Sequence, residues 1–203
     1  GAPIQTATGA VTATAGSGGV FITETDGASF TATATGAGPV SLASTTGTLT
    51  IAGATSTGTG SIAISGNTIV QNANLTTGGP ITVTAAAGPI TMAGGSQSTA
   101  GGNVTYQAAG DITLRSLTSG AVAGVTSTGG SILDGNAAAL NVSAGTTALQ
   151  AGGVIGTLTD PLEIAVAGLA NVNANGAQSG VSVNINGTTG DNTLQFPLTV
   201  PGQ

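Results

Sequence analysis

The chain has 203 residues with 36 Gly, 2% aromatic residues and 4% charged residues. Any core must therefore be narrow, filled by Val, Ile, Leu and Ala rather than by rings. Seven carboxylates against the single cation Arg115, with no Lys and no His, give a formal charge of -6. That balance offers neither the basic surface nor the stacking platforms that nucleic-acid binding requires. Absence of Cys removes disulfides and thiolate metal sites. Low charge together with regularly placed Val and Ile also argues against a disordered chain or a flexible linker.

Strand-sized runs with a period of two recur along the chain. They begin as "AVTAT" at Ala10, "VFITET" at Val20, "SFTATAT" at Ser29, "PVSLAS" at Pro39, "TLTIAG" at Thr48 and "SIAISG" at Ser61. They continue as "PITVTA" at Pro80, "PITMAG" at Pro89, "NVTYQA" at Asn103, "DITLRSL" at Asp111, "SILDG" at Ser131, "ALNVSA" at Ala139 and "GVSVNING" at Gly180. Alternation predicts inward pairs Val40/Leu42, Leu49/Ile51, Ile62/Ile64, Ile81/Val83, Ile90/Met92, Val104/Tyr106, Ile112/Leu114, Leu140/Val142 and Val181/Val183, with Ser, Thr or another small residue between them facing out. Gly, Gly-Pro, Gly-Gly, Ser-Gly and Asn-Gly punctuate the runs and suit sharp corners. Pro39, Pro80 and Pro89 fall at strand starts, where a missing N–H is tolerated. No stretch carries a sustained helical period with caps, and none approaches an 18-residue apolar span.

The unit returns with a repeat of about twenty residues. Strands this short, without aromatic girdles, do not suit a transmembrane barrel, and an antiparallel sandwich would call for larger core residues. The expected fold is all-β, a parallel β-helix whose coils stack as a solenoid. Residues 1–148 read as regular coils and 149–203 as less regular terminal coils of the same helix, with "PLEIAV" at Pro161, "LANVNAN" at Leu169 and "LQFPLTV" at Leu194. The end coils of such a rod expose unpaired backbone, so further coils of the same polypeptide or a second copy are the expected partners.

In "GDITLRSLTSGAVAGVTSTGGSILDG", Gly110 to Gly135, and in "GTLTDPLEIAVAGLANVNANG", Gly156 to Gly176, the chain resembles the filamentous haemagglutinin-type repeat regions of large bacterial exoproteins. The resemblance is one of repeat style and covers most of the length. It implies a right-handed parallel β-helix with roughly three strands per coil. It also implies export through an outer-membrane translocator, an extracellular or cell-surface location, and a role in fibres, adhesion or cell contact.

Candidate chemistry is sparse. Glu24 and Asp26, two positions apart, would share one side of a strand at about 6.5–7 Å, a spacing compatible with a glycosidase pair. Without His, Lys or Cys there is little to tune their pKa values, so a solvated edge and no catalytic residue are expected. Asp111, Asp134, Asp160, Glu163 and Asp191 are scattered and lack the calcium-repeat or EF-hand spacing, so no metal site and no cofactor are expected. Arg115 is expected to pair with an acid on an adjacent coil. Thr-x-Thr pairs starting at Thr6, Thr12, Thr23, Thr31, Thr48, Thr57, Thr82 and Thr157 raise ice binding, although their intervals are irregular. Asn171, Asn173, Asn175, Asn184 and Asn186 suggest amide ladders between coils. Asn74, Asn103, Asn141 and Asn186 begin glycosylation sequons. The expected function is structural, part of a fibre or adhesin shaft built by coil stacking. A binding module for surface glycans, or for ice, is the alternative.

Overall fold

The computed structural model describes residues 2–53, 55–168, 170–175, 180–185 and 194–195. Among them every regular element is a strand, every strand pairing is parallel, and the chain winds as a β-solenoid with about 21 residues per turn. Alternating small and aliphatic residues give each turn one buried side, and only stacking against the next turn hides it from water.

The first face is a ten-stranded sheet running the length of the rod. Its strands are Ile4–Thr6, Val20–Glu24, Val40–Ser44, Ile62–Gly66, Ile81–Ala85, Val104–Ala108, Val122–Ser127, Thr146–Ala151, Ala170–Ala174 and Leu194–Gln195. The strand Thr146–Ala151 carries the sheet across position 149 without interruption.

The second sheet has 14 strands and forks. In the first two coils it is a single strand per turn, Ala10–Thr14 and then Ser29–Thr33. Ser29 and Phe30 of the latter pair with Thr50 and Ile51, whereas Thr33 pairs with Ser56. The following coil is therefore longer over this stretch and bends there, dividing one face into two. From that point each turn is three-sided. Thr48–Ile51, Thr68–Gln71, Ile90–Met92, Ile112–Leu114 and Ile132–Asp134 continue the second face. Thr55–Ser56, Leu75–Thr77, Gln97–Ala100, Ser116–Ser119, Val142–Ala144, Leu162–Val166 and Val183–Ile185 build the third.

Register converts the sequence repeat into interior columns. Val40, Ile62, Ile81 and Val104 stack on one another in the first face, beside a column of Leu42, Ile64, Val83 and Tyr106. Leu49, Ile69, Ile90, Ile112 and Ile132 form the matching column of the second face, extended through Ile155 to Val181 by isolated bridges. Val40, Leu42, Leu49, Ile51, Ile62, Ile64, Ile81, Val83, Ile90, Met92, Val104, Tyr106, Ile112, Leu114 and Val142 are all buried. Each aliphatic side chain so enclosed contributes about 1.5–3 kcal/mol relative to exposure. Val181 and Val183 are partly buried against this core.

Leu140 departs from the expectation and is 37% exposed. The strand begins only at Val142, so the alternation read through "ALNVSA" does not reach Leu140, which belongs to the preceding loop. Ser41, Thr50, Thr82, Thr91, Thr105, Thr113 and Ser182, between the inward pairs, stay out of the core as expected, whereas Asn141, expected outward between Leu140 and Val142, is buried. Thr55, Thr57, Thr77, Ser98, Ser119 and Ser127, which fall outside those pairs, are buried too.

Corners are built from glycine and hydroxyls. Gly58, Gly78, Gly101 and Gly120 stack in one corner, and a Cβ at Gly101 would lie 2.4 Å from the Gly78 carbonyl oxygen. No side chain fits a turn packed so closely on its neighbour. Thr57 and Thr77 donate their inward hydroxyls to the carbonyls of Gly38 and Gly60, and Ser119 Oγ donates to Gly102 O at 2.9 Å. Pro39, Pro80 and Pro89 each accept from the preceding coil, through Val20 N, Ile62 N and Ile69 N, so proline keeps its carbonyl in the ladder.

Candidate functional site

Glu24 ends its strand on the inside of the rod and is buried, whereas Asp26 lies past the strand end and is exposed. The period-two argument therefore does not carry from one to the other. The Glu24 carboxylate accepts from Thr8 N at 3.2 Å, from Asp26 N at 2.9 Å and from Gly27 N. Burial pushes its pKa up, but the hydrogen bonds from Gly27, Asp26 and Thr8 outweigh that and hold it below the usual carboxylate range. This carboxylate joins the first coil to the next corner.

The other acids serve comparable local roles. Asp111 Oδ1 accepts from Ser131 N at 2.7 Å, one coil on. Asp134 Oδ1 accepts from Asn136 N at 2.8 Å and from Asn141 Nδ2 at 2.7 Å. Glu163 Oε1 accepts from Asn184 Nδ2 at 3.1 Å. The Asp160 carboxyl is pushed above its ordinary value by desolvation, by the charge of Asp134 and by a hydrogen bond with it. Among the described residues no group of three or more His, Cys, Asp or Glu is placed to hold a metal ion. Asp191 and Asn186 lie outside the described residues.

The corner between the second and third faces is where the coils differ most. Only Arg115 separates Leu114 from Ser116, whereas one coil later the seven-residue loop from Gly135 to Asn141 intervenes. Asn141 is buried beneath this loop and fixes it. Its Nδ2 reaches Leu114 O and Arg115 O, each at 3.3 Å, as well as Asn136 Oδ1 at 2.8 Å, while its Oδ1 accepts from Glu163 N at 2.8 Å. Arg115 does not meet the expectation of an acidic partner, because its Nη1 donates to the carbonyl of Gly135. Beside the loop runs a groove of about 230 Å³ bounded by Gly95, Ser96, Gln97, Arg115, Ser116, Asn136, Ala139 and Leu140. A second cavity of about 240 Å³, more apolar, lies between Val154, Gly156, Thr157, Leu158, Gly180, Val181 and Ser182.

The repeated polar residues do not assemble as simple arrays. Thr82 and Thr84 lie between Ala63 and Ser65 on one side and Thr105 and Gln107 on the other, so adjacent columns mix Thr with Ala, Ser and Gln. Asn171 and Asn173 stack on Ala148 and Gln150, and Asn184 on Glu163, rather than on other asparagines. Of the described sequon positions, Asn141 is buried, while Asn74 and Asn103 are exposed and accept from Gln97 N and Val122 N of the next coil.

Gln71, Ser98 and Asn141 were not legible as interior polar groups, since nothing in residue type distinguishes them from outward ones. The only available signal is position, as Gln71 and Ser98 fall on the inward phase of their strands. The chain matches no family model, no curated protein and no solved structure.

Proposed function

We propose that this chain is a structural protein, part of the shaft of an extracellular bacterial fibre or adhesin, whose mechanism is coil stacking. The observation that carries this reading is the open first edge. The aliphatic column of Leu42 and Ile22 ends in Ile4, which is 66% exposed on a strand that pairs, among the described residues, only with Val20–Glu24. An edge of unpaired N–H and C=O groups beside bare aliphatic surface is completed by another coil. That coil comes from a flanking stretch of the same polypeptide or from a second copy stacked end to end. The extracellular placement, and passage through an outer-membrane translocator, rest on the resemblance of the Gly110–Gly135 and Gly156–Gly176 stretches to exported repeat proteins. Sparse surface charge supports association, because stacked coils face little like-charge repulsion.

Electron microscopy of the purified chain over a concentration series tests this. Filaments of constant width, with an axial repeat of about 4.8 Å in diffraction, are expected if copies complete each other. Discrete short rods at every concentration would overturn end-to-end assembly and leave flanking coils as the completing partner. Globular particles without the axial repeat would overturn the shaft reading itself.

A further inference from the structure

The groove beside Arg115 holds the only positively charged side chain of the protein. Two contacts anchor its walls. Arg115 Nη1 donates to Gly135 O, and Asn136 Nδ2 donates to Arg115 O, so the cation is tied at both side chain and backbone to the loop that rises over the groove. A guanidinium has five N–H donors in a planar fork that matches a carboxylate. Among the described residues the guanidinium donates to Gly135 O alone, which leaves most of that fork unpaired there.

Ser96 lines the same groove, is only 2% exposed, and its Oγ is buried without a hydrogen-bond partner among the described residues. That hydroxyl is closed off from solvent, so the accessible polar groups of the groove are its neighbours. Gln97 and Ser116 add an amide and a hydroxyl, and Leu140, half out in solvent, supplies an aliphatic lip. A volume of about 230 Å³ is smaller than a site for a drug-sized ligand and suits a single ring. One fixed cation, neutral polar groups and one apolar wall together describe a six-carbon sugar acid.

We infer that this groove binds one uronate unit of an acidic saccharide, with the carboxylate on Arg115, ring hydroxyls on Gln97 and Ser116, and an apolar ring edge on Leu140. Bidentate Arg–carboxylate pairing supplies orientation as well as affinity. The inference goes beyond the shaft reading and does not depend on it, since filament formation and saccharide binding are read by separate measurements.

Amide chemical shifts of the isotope-labelled chain, followed during titration with D-glucuronate, D-glucose and acetate, test it. Glucuronate is expected to give saturable shifts at Gly95–Gln97 and Ser116 with a millimolar Kd, and glucose and acetate to bind at least about tenfold more weakly. R115Q should weaken glucuronate by about tenfold or more. L140D, a change at an exposed side chain that sets a like charge on the lip, should do the same without altering the melting temperature, and it keeps the test decisive if R115Q does not fold. Acetate binding as tightly as glucuronate would overturn the saccharide assignment in favour of a bare carboxylate site. Equal binding of glucose, unchanged binding by the variants, or no saturable shift at about 50 mM would overturn the proposal.

Discussion

The hydroxyl of Tyr106 donates to Oε1 of Gln71 at 2.5 Å in the interior of the rod, linking a first-face strand to the end of a second-face strand. Ser98 Oγ lies 2.6 Å from the same hydroxyl and accepts from Gln71 Nε2 at 3.0 Å, and Gln71 Nε2 also reaches Ala73 O and Gln97 O. All three side chains are buried, so each relies on the others for its hydrogen bonds.

Removing the hydroxyl by Tyr106→Phe is expected to cost about 1–3 kcal/mol, the penalty of stranding buried partners. Thermal unfolding followed by circular dichroism reads it, and a melting temperature equal to wild type would mean the network contributes nothing. Tyr106 is also the sole tyrosine, and burial pushes its pKa well above the ordinary value although the bonds with Ser98 and Gln71 oppose this. The folded state therefore keeps its proton where the unfolded chain loses it at about pH 10. Stability is full below that pH and falls as pH rises further, so phenolate absorbance should appear only together with unfolding.

Glu24 titrates with the opposite sign. Its depressed pKa means that its contribution is present above the ordinary carboxylate range and is lost as pH falls through the folded value. Glu24→Gln should lower the melting temperature at neutral pH, and the gap to wild type should close in acid. A gap that persists unchanged at about pH 2 would show that shape, not charge, matters at that corner.

Asp160 has a raised pKa, so it destabilises once ionised beside Asp134. Its protonated form favours the folded state at low pH, and that benefit disappears as pH rises through the folded value. Asp160→Asn is accordingly expected to raise the melting temperature at neutral pH and to leave it unaltered in acid. A lower melting temperature at neutral pH would contradict the repulsion.

Two glycines separate packing from chain entropy. Gly101→Ala places a Cβ 2.4 Å from Gly78 O, while Gly124→Ala, within the strand Val122–Ser127, meets nothing within 4 Å. The first should cost about 1–3 kcal/mol through displaced coils, and the second should be neutral or stabilising by about 0.4–1 kcal/mol. Equal urea midpoints for both variants would refute the stacked corner.

Ile81→Asp puts a charge between Ile62 and Val104, where the native side chain is fully buried. A loss of about 3–5 kcal/mol is expected for an uncompensated buried charge, against less than about 0.5 kcal/mol for Leu158→Asp at a side chain 95% exposed. Chemical denaturation of the two variants compares them directly.

The period-two pattern made the stacked fold legible, because Ile81, Ile90 and Ile112 occupy inward positions that each turn rewrites. It failed where a strand is shorter than its pattern, starting after Leu140 and ending before Asp26, since alternation has no meaning outside the strand. It placed outward the hydroxyls between the inward pairs and carried no signal for those at corners. Thr57, Thr77 and Ser119 turn inward because the corner carbonyls beneath them need donors, a requirement created by stacking and invisible in one coil. The groove was less legible still. Arg115, Ser96 and Leu140 come from three successive coils, and only the close of the loop from Gly135 to Asn141 brings them together.

The fork after Ser29–Thr33 gives the rod a direction. Its early coils are two-sided and its later ones three-sided, while each strand of the first face between the two end strands pairs with the strand one turn before and the strand one turn after. A chain emerging from its amino-terminal side thus meets all the pairing partners it needs within a turn, and each finished coil is the mould for the next. Such neighbour-to-neighbour pairing lets folding follow the order of emergence, because no distant part of the chain has to be awaited.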